Sequence, residues 1–309
     1  MTPFREYLER IRPAVNRRIE EVASGEGAID PDILPLLAGG KRMRAGLLLW
    51  IHAGLARTTV PTRQALDLAC AVELAHAASL ILDDMLDGDT VRRGAPSLHL
   101  TRGEGRAVLD AVGILALPYV LAAPYGSGYV TMLASAQHRM ARGVAWEMLG
   151  GPDLPAAELY DAIIARKTGC LFSLAAAWGA MAAGEEKAVV VAFADFGLSA
   201  GKAMQIADDI ADLQAPATGS QSRPGSEALL LRCVSGSNGT RQGLGRILER
   251  EMDGAAAKIA DEGRHRVPPE AWDPFGQVLR DIVGLTIARE MPGDATGFRV
   301  ACPGGLPQR

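Results

Sequence analysis

The stretch that decides the fold runs from Thr62 to Asp87 and reads TRQALDLACAVELAHAASLILDDMLD. Within it, Leu66, Cys70, Leu74 and Ile81 recur at intervals of one or two helical turns, which places them on one face of a helix. The apolar pattern ends in a group of aspartates. The segment therefore predicts a long core helix that carries carboxylates at its carboxyl end.

Helical spacing continues on both sides of this segment, whereas strand-like alternation with hairpin signals does not appear. Alanine and leucine are abundant and aromatic residues make up 5% of the chain, a composition that favours helices. We expect an all-α fold with one domain, residues 1–290, and an irregular tail, residues 291–309. Further helices are predicted at 4–22, 31–37, 107–123, 127–149, 155–183, 188–211, 241–262 and 270–290, with a long loop at 214–240.

The composition also bears on the class of protein. A hydrophobic share of 48% over 309 residues is typical of a folded domain. A net charge of −4 provides no basic field for nucleic acid, so an anionic ligand would need local basic clusters. The longest apolar stretch, 170–184, is too short for a membrane span of about 20 residues. Four scattered cysteines, Cys70, Cys170, Cys233 and Cys302, predict reduced thiols in a cytoplasmic protein.

Two groups of aspartates repeat the same spacing, each at the end of an apolar helix. The first comprises Asp83, Asp84 and Asp87, and the second comprises Asp208, Asp209 and Asp212. One such group alone is most often a solvated helix end. Two groups repel each other's charges unless cations lie between them, and hard carboxylate oxygens in this number suit magnesium bridged to phosphate. The pair therefore predicts a diphosphate site that contains several magnesium ions.

Basic residues also form two groups. Lys41 and Arg44 follow the flexible pair at 39–40, and Arg92 and Arg93 follow the first aspartates. Arginine binds phosphate oxygens through two parallel hydrogen bonds, so these groups favour a second phosphate site. Either group alone is also compatible with ordinary surface charge.

Taken together, the motifs resemble the trans-prenyltransferase family, the polyprenyl (isoprenyl) diphosphate synthases, and are nearest to bacterial geranylgeranyl diphosphate synthases. The resemblance extends from residue 35 to residue 213. It implies an all-α, isoprenoid synthase type I helical barrel around a central cavity, and a homodimer. The matching motifs, in chain order, are Gly40-Lys41-Arg42-Met43-Arg44, Glu73-Leu74-Ala75-His76, Asp83-Asp84-Met85-Leu86-Asp87, Arg92-Arg93-Gly94, Lys167-Thr168 and Gln205-Ile206-Ala207-Asp208-Asp209-Ile210-Ala211-Asp212.

The same resemblance implies a role for each group of residues in a magnesium-dependent condensation of an allylic diphosphate with isopentenyl diphosphate. Three magnesium ions would be bound by Asp83, Asp87 and Asp208, with support from Asp84, Asp209 and Asp212. The departing diphosphate would be neutralised by Arg92 and Lys167. Isopentenyl diphosphate would be held by Gly40, Lys41, Arg44, His76 and Arg93. The developing carbocation would be stabilised by the oxygen dipoles of Thr168 and Gln205.

Product length and some departures from the family's pattern leave alternatives open. In the family that the chain resembles, bulky aromatic residues below the first aspartates stop growth at farnesyl length. The small residues found there, Ala75, Ala78 and Ser79, therefore imply a geranylgeranyl or longer product. The lysine-bearing segment usual after the second aspartates is missing, since no lysine occurs between Lys202 and Lys258. A terpene cyclase or unusual prenyltransferase on the same fold therefore remains an alternative, as does a non-catalytic partner subunit of a prenyl synthase.

Overall fold

The computed structural model describes residues 3–25, 29–92 and 94–214, together with nine separate residues: Ser226, Leu229, Leu230, Cys233, Glu251, Gly254, Val278, Asp281 and Ile282. Several sequence predictions fall outside this part of the chain. They concern Arg93, the side chain of Asp212, most of the loop at 214–240, most of the helices at 241–262 and 270–290, and the tail at 291–309.

Ten α-helices account for most of the described chain, which confirms the prediction of an all-α fold. Two 3₁₀ turns, Pro31–Ile33 and Ala123–Tyr125, and one π-helical turn, Ala165–Gly169, connect some of them. The helices are α1 (Pro3–Ala23), α2 (Leu34–Ala38), α3 (Met43–Ala56), α4 (Arg63–Asp87), α5 (Leu98–Arg102), α6 (Glu104–Ala122), α7 (Ser127–Leu149), α8 (Ala156–Ile164), α9 (Cys170–Ala182) and α10 (Lys187–Gln214).

Helix α4 is the decisive segment identified from the sequence, and it lies in the centre of the core. The Thr62 side chain accepts a hydrogen bond from the backbone N–H of Ala65, which caps the first turn. Gly88 ends the helix with a φ of 71°, a left-handed conformation that glycine adopts without strain. Because most of the helix between these caps is buried, its aspartates are held at a fixed end of a rigid element.

A short antiparallel pair of strands, Val91–Arg92 and Ala95–Pro96, follows α4. The sequence predicted no hairpin, and this strand pair shows that prediction to be wrong. Gly94, with a φ of 80°, makes the tight turn between strands too short to show any alternation of apolar and polar residues. The turn directs Arg92 back toward the end of α4.

Helices α9 and α10 approach each other closely at glycines. A Cβ atom at Gly197 would lie 2.4 Å from the backbone oxygen of Phe172, and one at Gly201 would lie 2.7 Å from the Cα atom of Gly169. The four-residue interval puts both glycines on the α10 face that carries Gln205 one turn later. This close packing brings the middle of α10 against the π-helical turn before α9.

Within the described part of the chain, three helical segments are long and apolar enough to cross a membrane by length and composition alone: Arg63–Asp87, Glu104–Tyr125 and Lys187–Ile210. In the first segment, 78% of the most apolar stretch of 18 residues is buried inside the fold. In the second segment the buried share of that stretch is only 39%. The absence of a membrane span therefore stays a prediction. The second segment carries an exposed apolar face, called here the α6 stripe, which consists of Val108, Leu109, Val112, Ala116 and Val120.

Candidate active site

The first aspartate group lies at the carboxyl end of α4. Asp84 is buried and accepts hydrogen bonds from the Arg92 guanidinium, whose Nε lies 2.6 Å from Asp84 Oδ1. Arg92 also donates to Asp89 Oδ2 at 3.1 Å. Asp83 and Asp87 are partly exposed. Asp84 is thus occupied in fixing Arg92, while its two neighbours present carboxylates toward the rest of the site.

Lys167 faces these carboxylates from the π-helical turn. Its Nζ lies 2.5 Å from Glu147 Oε2 on α7, and Asp83 and Asp87 are near enough for their charges to act on it. Burial lowers the pKa of Lys167, but the three carboxylates outweigh burial and raise the pKa overall. The lysine is therefore a fixed positive charge among three carboxylates, Asp83, Asp87 and Glu147, which are called here the acidic ring. π-Turns of this kind occur frequently at functional sites.

The acidic ring carries more negative charge than its neighbours neutralise. Burial and the charges of Asp87 and Glu147 raise the pKa of Asp83 to about 6, even though Lys167 and Arg92 lower it. The pKa of Asp87 is raised as well, chiefly by burial. Carboxylates that resist ionisation in this way are stabilised by an added cation.

Glycine at position 143 allows α7 to approach the π-helical turn. A Cβ atom there would lie 2.6 Å from the backbone nitrogen of Lys167 and 2.8 Å from the Arg166 Cβ. We expect Gly143→Ala to displace Lys167, lowering kcat at least tenfold and the free energy of unfolding by about 1–3 kcal/mol. Gly128→Ala, on the same helix with its nearest atom 4.0 Å away, is the matched control. Steady-state kinetics and denaturant unfolding would measure both, and wild-type values for Gly143→Ala would contradict the close approach.

The second aspartate group, at the end of α10, is linked to the π-helical turn by hydrogen bonds. Thr168 Oγ1 donates to Gln205 Oε1 at 2.6 Å, and Gln205 Nε2 donates to Asp209 Oδ1 at 2.8 Å. Asp209 also accepts from Tyr160 Oη at 2.7 Å and from Ser226 Oγ at 2.9 Å. Burial raises the pKa of Asp209 to about 7, although the three donated hydrogen bonds oppose that shift. Asp209 therefore holds the side chains of Gln205, Tyr160 and Ser226 in place through hydrogen bonds.

The basic residues of the amino-terminal half differ in their exposure to solvent. Arg44 is buried, its guanidinium carbon lies 4.7 Å from the centre of the Phe172 ring, and burial lowers its pKa. Its Nε has no hydrogen-bond partner within the described part of the chain. Lys41 and His76 are partly exposed. Gly40 adopts a φ of 121°, which the tight backbone before Lys41 requires.

The structure groups most of the residues that the sequence singled out into two sets of interactions, which meet at the chain neighbours Lys167 and Thr168. The first set is Asp83, Asp84, Asp87, Arg92 and Lys167. The second set is Thr168, Gln205 and Asp209. Asp208 is close enough to influence Asp209 and Arg44. Tyr160 and Ser226 were missed because nothing in their local sequence distinguishes them. Glu147 had a weak signal. The resemblance implies a Gly-Gln pair shortly before an acidic residue, and the matching stretch here reads Gly143-Val144 with Glu147 three residues later.

The donor set fits magnesium in chemical type, since carboxylate oxygens are the hard ligands that this ion prefers. Among the described residues, no group of three or more histidine, cysteine, aspartate or glutamate side chains could hold an ion by itself. Phosphate oxygens and water would have to complete the coordination shell. Asp83 and Asp87 are the described carboxylates best placed to contribute, because each is partly exposed in the acidic ring.

Comparisons by sequence and by structure both find polyprenyl diphosphate synthases among the proteins similar to this chain. The profile of the polyprenyl synthetase family matches residues 33–223. The geranylfarnesyl diphosphate synthase of Methanosarcina mazei is 33% identical over 192 residues, which are 62% of this chain and 64% of that protein. The geranylgeranyl diphosphate synthase of Pseudescherichia vulneris is 39% identical over 189 residues, 57% of this chain and 61% of that protein. The chain thus spans about three fifths of the length of these relatives.

The fold itself is found in solved structures over nearly their full length. A polyprenyl synthase from Caulobacter crescentus CB15, complexed with calcium and isoprenyl diphosphate, superposes with a TM-score of 0.72 at 25% identity. The match covers 93% of this chain and 98% of that one. A geranylgeranyl pyrophosphate synthase from Lactobacillus brevis gives a TM-score of 0.74 at 21% identity, with 89% and 96% coverage.

Proposed function

The chain belongs to the polyprenyl synthetase family, and from that premise we propose that it is a magnesium-dependent prenyltransferase. It would condense an allylic diphosphate (dimethylallyl, geranyl or farnesyl) with isopentenyl diphosphate to give a longer trans-prenyl diphosphate. The observation that carries this proposal is the position of Lys167, a fixed cation in the acidic ring, next to the hydrogen-bonded pair Thr168 and Gln205. The positive charge of Lys167, which would neutralise a leaving diphosphate, thus lies next to the oxygen dipoles of Thr168 and Gln205, which would stabilise a carbocation.

Each part of the site has a task in this reaction. Magnesium, about three ions by the family's pattern, would supply positive charge to the diphosphate oxygens. The ligands would be Asp83, Asp87 and Asp208, with Asp84, Asp209 and Asp212 as further or supporting carboxylates. Lys167 and Arg92 neutralise the diphosphate as its bond to the allylic carbon breaks. Thr168 and Gln205 direct oxygen lone pairs to the carbon that becomes positive, and the surrounding apolar helices exclude water from it.

The second substrate, isopentenyl diphosphate, would bind to the basic residues before and within the core helices. Arg44 supports this assignment because its buried Nε has no partner among the described residues, and a buried donor without a partner is unfavourable. Lys41 and His76 are near the surface and would contact the diphosphate from there. Gly40 keeps the backbone before Lys41 tightly turned, and Arg93, outside the described residues, completes the proposed set.

We expect geranylgeranyl diphosphate as the main product. Ala75 and Ala78 are buried on α4 below Asp83. Their side chains, like that of Ser79, are small, so they leave room there for a long prenyl chain. Relatives named for farnesyl, geranylgeranyl, geranylfarnesyl and nonaprenyl products have comparable identities to this chain, so family membership alone leaves the length open. The expected length of the prenyl product therefore rests on these small residues of α4 and not on family membership.

The test is incubation of the purified protein with magnesium, labelled isopentenyl diphosphate and each of the three allylic diphosphates. The products are dephosphorylated and sized. Magnesium-dependent formation of labelled geranylgeraniol supports the proposal. If no label enters any product but an allylic diphosphate alone yields a hydrocarbon, the chain is a terpene cyclase. If neither reaction occurs until a second prenyl synthase subunit is added, the chain is a partner subunit.

We propose a homodimer as the assembly, with the α6 stripe as its contact. The stripe is an exposed apolar face, and the opposite face of α6, which includes Ala107, Ala111 and Ile114, is buried in the core. A self-complementary apolar face of this kind suits pairing around a two-fold axis.

A charge in the α6 stripe should separate the two subunits. Val112→Arg replaces an exposed valine in the stripe with a side chain that loses its hydration when buried, so we expect a monomer. Val191→Arg makes the same change at an equally exposed valine on α10 and should leave the assembly intact. Analytical ultracentrifugation of the wild type and both variants decides, and a wild-type monomer or a dimeric Val112→Arg variant contradicts the proposed contact.

A further inference from the structure

A chain of side-chain hydrogen bonds links the interior of the protein to the hydroxyl of Thr168. We propose that Tyr160 and Ser226 are positioning residues: by holding Asp209, they fix the amide of Gln205, and the amide in turn aims the lone pairs of Thr168 at the developing cation. This inference rests on the proposed prenyltransferase function. It assigns a role to two residues that belong to neither aspartate motif.

The direction of the hydrogen bonds follows from chemistry. Asp209 accepts hydrogen bonds from Gln205, Tyr160 and Ser226, so the Gln205 amide turns its NH₂ group toward Asp209 and its oxygen toward Thr168. Thr168 must then donate its single proton to Gln205 Oε1. Both lone pairs of the Thr168 oxygen remain directed away from that bond. A flipped amide would place two acceptors, Gln205 Oε1 and Asp209 Oδ1, against each other. Its NH₂ group would then donate to Thr168, whose own proton could turn toward the cation.

Asp209 can impose this direction only while its own orientation is fixed. The carboxylate is buried, and both of its oxygens are used: Oδ1 accepts from Gln205 and Ser226, and Oδ2 accepts from Tyr160. Tyr160 is buried too, and it is the donor found on Oδ2 within the described part of the chain. Removal of its hydroxyl leaves a buried carboxylate oxygen without that donor, which favours rotation of the carboxylate.

The backbone reinforces the same geometry. Thr168 lies in the π-helical turn, which widens the helix at that position, and Gly201 lets α10 approach that turn at Gly169. Gln205 lies one turn after Gly201, so its amide reaches Thr168 directly. The chain from Tyr160 to Thr168 therefore connects α8, α10 and the π turn through groups that have little freedom to move.

The first test is Tyr160→Phe, which removes one hydroxyl and keeps the ring. We expect kcat to fall roughly tenfold, while KM for both diphosphates changes less than about twofold, because the loss concerns the charge-separating step. Tyr129→Phe is the matched control: Tyr129 is a buried tyrosine that accepts a hydrogen bond from Gln64 in another part of the core. Ser226→Ala, which removes the second supporting hydroxyl, should show a smaller loss of the same kind.

A double-mutant cycle separates positioning from general stability. Thr168→Val removes the hydroxyl through which the chain acts, so Tyr160→Phe should have almost no further effect on kcat in that background, whereas Thr168→Ser should keep the tenfold effect. Additive losses in kcat, or a Tyr160→Phe variant as active as Tyr129→Phe, overturn the inference. A wild-type protein without condensing activity would instead refute the proposed function, so the two failures are distinguishable.

Discussion

Replacement of Asp83 with asparagine is expected to lower kcat/KM roughly a thousandfold, because it removes a charged ligand that acts on the leaving diphosphate. The same change should make the protein more stable in the presence of EDTA. Burial and neighbouring carboxylates raise the pKa of Asp83 to about 6, so the folded protein disfavours the charged form that is present at neutral pH. Asparagine has nearly the same shape without the charge.

The gain in stability should depend on pH in a defined direction. The folded-state pKa of Asp83, about 6, is higher than its ordinary value of 3.8. Below pH 3.8 the carboxyl is neutral in both the folded and unfolded states, and the charge has no effect. The destabilisation grows between the two values and is complete above pH 6. Thermal unfolding in EDTA should therefore give nearly equal melting temperatures at about pH 3 and a higher one for Asp83→Asn at about pH 8.

Asp67→Asn on the same helix is the matched control. Asp67 accepts hydrogen bonds from Arg18 Nε at 2.7 Å, Arg63 Nε at 3.2 Å and Tyr125 Oη at 2.6 Å, so its charge is compensated. Its replacement should lower the melting temperature and leave the kcat of the folded enzyme unchanged. An Asp83→Asn variant that retains full activity would remove Asp83 from the metal ligands.

The helices that carry the site were predictable because their information is local. In α4 and α10 the apolar residues recur at helical spacing, and the aspartates follow in the same register, so periodicity alone places them at helix ends. The position of Lys167 beside the first aspartates was predictable only through the family resemblance. Nothing in the composition or spacing of residues 155–183 marks the π-helical turn that presents this lysine.

The supporting contacts were not predictable, because they join residues that are distant in the sequence. Tyr160 and Asp209 are separated by 49 positions, and Lys167 and Glu147 by 20. Each of these side chains has an ordinary alternative as a core or surface residue, and only the packing of α7, α8 and α10 decides between them. Local patterns therefore identify the residues that act on substrate better than those that hold them in place.

Replacement of Lys167 with methionine should have the second large effect on the reaction, a loss of kcat of roughly a hundredfold to a thousandfold. Lys167 is the cation that faces Asp83, Asp87 and Glu147, and methionine keeps most of its volume without the charge. Those carboxylates would then repel both one another and the diphosphate more strongly. Because one more negative charge in the cluster would then be uncompensated, we expect magnesium to bind more tightly. The magnesium concentration needed for half-maximal rate should therefore decrease, measured by titration at saturating substrate.

Lys202→Met distinguishes this effect from the general loss of a partly buried lysine. Lys202 also binds two carboxylates, Asp161 at 2.6 Å and Glu251 at 2.9 Å, but neither belongs to the acidic ring. Its replacement should lower stability and leave the magnesium dependence unchanged. If both variants shift the magnesium dependence equally, Lys167 acts through the overall charge of the protein. A shift confined to Lys167→Met means that its position in the ring is what matters, since both lysines carry the same charge.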